Sequence, residues 1–124
     1  MSSRPQFDPY PVITNGDMSG NLTSKVTVVQ KLSLVSYACS WAGSSPVGAV
    51  SVQVSNDYKQ NAAGAVINAG TWNTLPLSAP TGVSGNTGNG FIDLDANAGY
   101  AMRLIYLAGS GTGLLNVIVT AKVA

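Results

Sequence analysis

The chain has 124 residues, of which 45% are hydrophobic and only 9% are charged, and its formal net charge is +1. This length fits a single domain, and the charged fraction is far below the usual quarter or so. The bases form no positive cluster that could replace phosphate counterions, so we predict no direct binding of nucleic acid. A monomer with so few charges tends to associate, which favours a protein that works in an assembly.

Residue types favour strands and turns over helices. All five acids are Asp, and Val, Thr, Ser, Gly and Asn are abundant. Alternating apolar runs between turn signals number about seven or eight. We predict an all-β fold, an antiparallel β-sandwich of the Greek-key or jelly-roll type, with a small closed barrel as the alternative. The predicted organisation is an extended N-terminal arm and edge segment over residues 1–24 and one sandwich domain over residues 25–124.

The N-terminal segment carries three prolines within eleven residues. Proline at this density excludes a regular helix and a central strand, so an extended arm is predicted. Its aromatic residues could anchor it on a neighbour, and a frayed tail is the alternative. The predicted contacts with another subunit are Phe7, Pro9, Tyr10 and Pro11.

Turn residues divide the middle of the chain. We predict an edge strand over residues 12–14, a turn at 15–17 and a long strand over 25–35. Residues 56–70 are predicted to form a long loop with at most a short helical turn, and long loops on a compact scaffold are often functional.

Three further elements are predicted before the last strands. They are a strand over residues 71–77 with Trp72 buried, a second loop over residues 78–90, and a short strand over residues 91–95.

Residues 37–55 and 100–122 share one design, in which apolar alternation flanks a glycine-rich connection. This pattern is typical of a β-hairpin, so we predict one hairpin in each segment. The two segments align without a gap when Gly48 is set on Gly113. Two interpretations stay open: an internal repeat that places one hairpin in each of two packed sheets, or chance similarity between two hairpins.

Cys39 is the one cysteine and the chain has no His. An intrachain disulfide is therefore impossible, and we predict that Cys39 is a small buried hydrophobe. A catalytic thiolate would want a cationic partner, usually His. The same lack of His and of further Cys excludes Ser/His/Asp catalysis and a Cys/His zinc site. We predict no enzymatic activity and no cofactor.

Asp93, Asp95 and Asn97 place oxygen ligands at alternate positions, as a calcium loop does. Ala98 stands where such a loop needs Gly and no Glu closes the site, so this is a weak metal candidate. The strand rise would put the Asp93 and Asp95 carboxylates roughly 6–7 Å apart, a spacing that glycoside hydrolysis allows. Nothing in the sequence marks a raised pKa for either one, so a glycosidase pair is a weaker candidate still. The alternative is the solvent face of a strand. Arg103 is predicted to pair with Asp93 or Asp95, or to mark a subunit contact.

Three stretches of the sequence resemble small β proteins encoded among the structural genes of tailed phages. They are VQVSND at residues 52–57, GTWNTLPL at residues 70–77, and YAMRLIY with SGTG at residues 100–106 and 110–113. The resemblance spans residues 37–122 and leaves the N-terminal arm outside. The resemblance assigns no catalytic role to any residue of this chain.

The resemblance implies a capsid-associated or tail-associated role in the virion and no enzymatic activity. Our leading hypothesis is a homo-oligomeric capsid accessory or decoration protein that stabilises the particle. Its partners would be further copies of itself, as in a trimer, and other virion proteins, with no membrane. The N-terminus lacks the apolar segment of a signal peptide, so we expect synthesis in the host cytoplasm and residence in the virion. The alternative is a carbohydrate-binding spike or tail-fibre module, with Tyr58 and Asn73 as ligand-loop candidates.

Overall fold

The computed structural model describes residues 6–28, 34–75, 82–94 and 100–122. Within these ranges the chain forms strands and turns but no helix, so no helix of membrane-spanning length and hydropathy occurs there. The strands are β1 (Gln6–Asp17), β2 (Leu22–Thr23), β3 (Thr27–Val28), β4 (Leu34–Ser55), β5 (Lys59–Gln60), β6 (Val66–Asn68), β7 (Asn73–Thr74), β8 (Gly82–Val83), β9 (Thr87–Leu94) and β10 (Ala101–Lys122).

All strand pairs in the described part of the chain are antiparallel. Eight strands join one sheet, while β5 and β6 form a separate two-stranded sheet. The predicted all-β antiparallel class is thus confirmed. The strand number exceeds the predicted seven or eight because several strands are only two residues long.

The sheet is organised around β4 and β10, each 22 residues long. They pair along their whole length, from Leu34 opposite Lys122 to Ser55 opposite Ala101. The two predicted hairpins are therefore wrong, because each glycine-rich segment continues its strand instead of reversing it. Of the two open interpretations, the one that placed the segments in separate sheets is excluded, since they are neighbours in one sheet.

The glycine-rich segments face each other at the middle of the two long strands. Gly43 lies opposite Gly113, and the pairing shifts register between Ala108 and Thr112. Absent side chains let the two backbones approach closely, and a register shift bends the strands that carry it. The strand pair thus changes direction at the point where sequence analysis placed two turns.

The bend divides the sheet into two halves that share one core. In the first half the order is β1, the end of β10, the start of β4, and β9. In the second half β2 and β3 flank the start of β10, while β7 and β8 flank the end of β4. Residues of both halves belong to a single buried cluster. The halves therefore pack against each other like the layers of a sandwich.

Burial along β4 and β10 changes parity across the bend. Before the bend the large buried side chains of β10 are those of Met102, Leu104 and Tyr106, with the small Ala101 also buried at the start of the strand. After the bend the buried residues are Leu115, Val117, Val119 and Ala121. The buried residues of β4 are likewise Val35, Tyr37 and Cys39 before the bend, then Val50 and Val52. Because side chains alternate along a strand, this switch turns the inner sides of both halves toward the same core.

The N-terminal segment forms the edge strand β1, paired with the end of β10. Proline is tolerated at such an edge, and Val12 and Ile13 are buried in the core. The edge strand predicted at residues 12–14 is confirmed within this longer strand. The turn predicted at residues 15–17 is wrong: Asn15 has a φ of 50° inside β1, where the register shifts between Ile13 and Gly16. The division at residue 24 stays a prediction.

Residues 56–70 contain a small hairpin instead of the predicted loop with a helical turn. β5 and β6 pair around a turn in which the Asn61 side-chain oxygen accepts hydrogen bonds from the backbone N–H of Ala63 and Ala65, both at 2.9 Å. Gly64 supplies a φ of +88° there. The Asn61 side chain thus closes a tight turn that the sequence analysis did not predict.

Other predicted elements differ in extent. The loop predicted at residues 78–90 includes β8 and the first half of β9, which also contains the strand predicted from residue 91. In residues 71–75 the strand is confined to Asn73–Thr74, and residues 76–77 lie outside the described ranges. The strand predicted at residues 25–35 is described only at its ends, in β3 and the start of β4.

Candidate functional site

The most distinctive surface is the outer side of the first half-sheet. One row crosses its four strands, with Pro11 opposite Ile118, Ile118 opposite Ala38, and Ala38 opposite Phe91. We call this surface the outer face, and it comprises Pro11, Ser36, Ala38, Ser40, Ala42, Asn89, Phe91, Asp93, Leu114, Asn116, Ile118 and Thr120.

The outer face exposes large apolar side chains and almost no charge. Phe91 is 61% exposed, Leu114 49% and Ile118 43%. An open hollow of about 560 Å³ lies among Ala38, Phe91, Ile118 and their neighbours. Asp93 is the one charged side chain of the twelve that make up the face. Polar rows flank the apolar row on both sides, with Asn116, Ser40 and Asn89 on one side and Thr120, Ser36 and Asp93 on the other. An exposed apolar strip bordered by polar residues is typical of a contact with another protein.

The predicted subunit-contact residues are divided between surface and core. Pro11 lies on the outer face beside Ile118, and Pro9 is exposed. Tyr10 packs against the core, and its hydroxyl lies 3.2 Å from Thr27 Oγ1. Phe7 is held in β1 opposite Ala121. Pro11 therefore belongs to the outer face and Tyr10 to the core, and the contact of the four residues with another subunit stays a prediction.

The predicted ligand-loop residues Tyr58 and Asn73 do not share a surface. Tyr58 is 6% exposed, and its ring lies 5.9 Å from the half-buried ring of Trp72. Its hydroxyl accepts a hydrogen bond from Gln60 Nε2 at 2.8 Å. A buried ring cannot present a face to a sugar. Trp72, predicted to be buried, is only partly so, and its Nε1 donates to the Ala69 carbonyl oxygen at 2.9 Å.

Asn73 instead lines an open cleft of about 240 Å³ with Val54, Asn56, Asp57 and Thr71. The Asp57 carboxylate accepts hydrogen bonds from the Thr71 backbone N–H at 2.6 Å and from Ser55 Oγ at 2.8 Å. These bonds, led by that from Thr71, lower the pKa of Asp57. The carboxylate thus joins the two ends of the β5–β6 hairpin.

Arg103 does not pair with Asp93. Its Nε donates to Gln53 Oε1 at 2.8 Å, and its guanidinium carbon lies 4.3 Å from the centre of the Trp72 ring. Asp93 lies on β9 in the first half-sheet, whereas Arg103 lies in the second half-sheet. Asp95, the other predicted partner, lies outside the described residues. Cation–π stacking and an amide oxygen take the place of the predicted ion pair with Asp93, and the pair with Asp95 and the subunit contact stay predictions.

The weak metal candidate is only partly within the described residues. Asp93 is exposed on β9 opposite Ser36, whereas Asp95 and Asn97 lie outside the described ranges. Residues 6–28, 34–75, 82–94 and 100–122 contain no group of three or more acidic, His or Cys side chains placed to hold a metal.

Cys39 is 4% exposed, as the prediction of a buried hydrophobe required. Burial raises the pKa of its thiol from 9.0 to about 11. The folded state therefore binds the thiol proton more tightly than the unfolded state. The contribution of the protonated Cys39 thiol to the free energy of unfolding is fully present below pH 9 and is lost as the pH rises toward 11.

We expect the free energy of unfolding to fall by about 2–3 kcal/mol between pH 9 and pH 11 through Cys39, at about 1.4 kcal/mol per pKa unit. The measurement is denaturant unfolding at several pH values for the wild type and for Cys39→Ala. Burial also raises the pKa of Tyr37, but both proteins keep this tyrosine. The difference in slope therefore isolates the thiol, and equal slopes would contradict the prediction.

Comparison with known proteins gives a likeness to solved structures and none to a described family. No protein-family model matches the chain, and no curated protein does either. Among solved structures, the chain is similar to the SPBc2 prophage-derived protein YomS, with a TM-score of 0.48 and 11% sequence identity over 91% of this chain and 93% of that one. An identity this low does not place the chain in a family.

Sequence reasoning missed the outer face. Its signal was present in β10, where Leu114 and Ile118 alternate with Asn116 and Thr120 on the side opposite the core residues. Phe91 stood beside a glycine-rich stretch and was assigned only to a short strand. Because these residues come from distant parts of the chain, only the pairing of β10, β4 and β9 brings them together.

Proposed function

We propose that the chain is a non-enzymatic structural protein of a phage virion, a homo-oligomeric capsid accessory protein that stabilises the particle. The observation that carries this proposal is the outer face, with Phe91, Leu114 and Ile118 exposed on one side of a rigid half-sheet. The low charged fraction of 9% supports it, since few charges oppose close contact between proteins. The resemblance of residues 52–57 and 100–113 to tailed-phage structural proteins supports it as well.

The geometry explains how such a protein would act. Side chains on paired strands are already ordered, so docking the outer face costs little conformational entropy. Burying its apolar row stabilises the bound state, and each bound copy stabilises the folded state of what it binds. Many weak contacts, repeated on an oligomer and over a shell, add up to durable attachment.

The outer face also indicates the chemistry of the partner. None of the twelve described residues that define it is Lys or Arg, and Lys122, two residues beyond Thr120 on β10, is the nearest base along that strand. A nucleic-acid partner would require such residues to neutralise phosphates. The face therefore suits another protein surface that is apolar and close to neutral.

The test is binding to phage particles made from a genome that lacks this reading frame. We expect Ile118→Lys to weaken binding by about tenfold or more, because it places a charge at the centre of the buried contact, and tenfold corresponds to about 1.4 kcal/mol. Ile67→Lys is the matched control, since Ile67 on β6 is 60% exposed and lies outside the outer face. Circular dichroism confirms folding of both variants. Equal binding of the wild type and Ile118→Lys would refute the role of this face.

The alternative, a carbohydrate-binding spike or tail-fibre module, has one observation in its favour. The cleft beside Asn73 is lined by polar side chains that could bond hydroxyl groups. Neither Tyr58 nor Trp72 lines it, so it lacks the aromatic face on which a sugar ring stacks. Glycan-array hits that disappear in Asn73→Ala would favour this alternative over the capsid role.

A further inference from the structure

We infer that β9 pairs with β9 of a second copy, antiparallel and centred on Phe91, so that two first half-sheets join into one continuous sheet. This inference rests on the proposed function, in which the protein is a homo-oligomer, and it identifies the surface through which two copies bind each other. The sheet edge, a surface distinct from the outer face, would hold the two copies together.

The two edges of the first half-sheet differ in how they are protected. β1 carries Pro9 and Pro11, and its pairing with β10 contains three register shifts. Prolines and bulges of this kind block the addition of another strand. β9 has neither: it pairs with β4 from Leu94 to Thr87 without a shift. Among the described strands β9 pairs only with β4, so no described strand bonds to the N–H and C=O groups along its other edge.

The sequence of β9 is compatible with its own copy in antiparallel register. Centring the pair on Phe91 places the two Phe91 rings opposite each other, and such aromatic cross-strand pairs are favourable. The same register puts Asp93, the one charged residue of β9, opposite Asn89 of the other copy, where carboxylate and amide can bond. The two Asp93 side chains then lie roughly 13 Å apart, beyond the Debye length of about 8 Å.

A second copy fits this edge better than an unrelated strand does. Phe91 ends the row that begins at Pro11, so pairing about Phe91 continues the row into the same row of the partner. The two outer faces then form one surface, which doubles the number of contacts available to a particle. A two-fold contact of this kind uses the same residues from both subunits and closes after one pairing.

The first test uses the wild-type protein. Light scattering is expected to show a dimer of the 12.6 kDa chain that dissociates on dilution. Hydrogen exchange of the β9 amides is expected to become about tenfold faster or more at the dilution that yields monomer, while the β1 amides stay unchanged. Protection of β9 that does not depend on concentration would overturn the inference, because the edge would then be covered from within the chain.

Cysteine cross-linking tests the register, with Cys39→Ala as the background and oxidised glutathione as the oxidant. Phe91→Cys is expected to form a dimer disulfide, since a residue on the two-fold axis faces its own copy. Asn89→Cys is expected to react about tenfold more slowly, because its copies lie beyond the roughly 7 Å limit between Cα atoms. Ile67→Cys gives the rate of chance collision. A Phe91→Cys rate no higher than this control would overturn the inference.

The outcomes separate this inference from the proposed function. A monomer that still binds particles through Ile118 would overturn β9 pairing and leave the role of the outer face intact. A β9-paired dimer that binds no particle would support the pairing and refute the capsid role.

Discussion

Replacing Gly43 by Ala is expected to lower the free energy of unfolding by about 3 kcal/mol, near the upper end of ordinary overpacking effects. A Cβ at Gly43 would lie against Gly113 Cα and the Thr112 carbonyl oxygen, both backbone atoms of β10. Neither can rotate away as a flexible side chain does. The long strands would have to separate where they bend, and both half-sheets depend on that pairing.

Denaturant unfolding of the purified variant measures this change, and Gly20→Ala is the matched control. A Cβ at Gly20 meets no atom within 4 Å. The control should therefore keep or slightly raise stability, by up to about 1 kcal/mol, because Ala restricts the unfolded chain. If Gly43→Ala were as stable as this control, the close approach of the two glycines could not be what shapes the bend.

Leu115→Ala is expected to destabilise the protein by about 3 kcal/mol, whereas Leu114→Ala should cost less than about 1 kcal/mol. The two leucines are neighbours in β10, yet Leu115 is fully buried and Leu114 is 49% exposed. Removing the buried side chain leaves a cavity in the shared core, and removing the exposed one does not.

This pair of variants also tests the parity switch of β10. If the strand kept the alternation of Met102, Leu104 and Tyr106 through the bend, Leu114 would be the buried residue. The larger loss of stability would then fall on Leu114→Ala. Unfolding curves of the two variants, measured under one set of conditions, decide between the two arrangements.

The fold class followed from local patterns in the sequence, and the path of the chain did not. Apolar alternation in residues 100–122 correctly indicated strand there, because period two needs only neighbouring residues. The glycine-rich segments were assigned to turns because a turn and a bend use the same residue types. What separates them is the pairing partner, and Gly43 finds its partner at Gly113, far away in the sequence.

The candidate site was predictable to a smaller degree. Pro11 was assigned to a contact surface, and the structure places it on the outer face. Tyr58 was assigned to a ligand loop because aromatic residues in polar loops are often exposed. The structure buries it instead against Trp72, which also stacks on Arg103 of β10. The cluster forms from three separate segments of the chain, and no local sequence pattern predicts that these segments come together.

The continuous pairing of β4 with β10 has a consequence for biosynthesis. Its closest partners, Ser55 and Ala101, are 46 residues apart, and its most distant, Leu34 and Lys122, are 88 apart. Chains dominated by such distant contacts fold slowly, because the entropy of closing long loops is lost before the stabilising contacts between the strands form. β10 is the last described strand to leave the ribosome. Until it does, the apolar side chains of β4 stay exposed to solvent. Fragments that lack β10 should therefore aggregate, and chaperones should bind the nascent chain until that strand emerges.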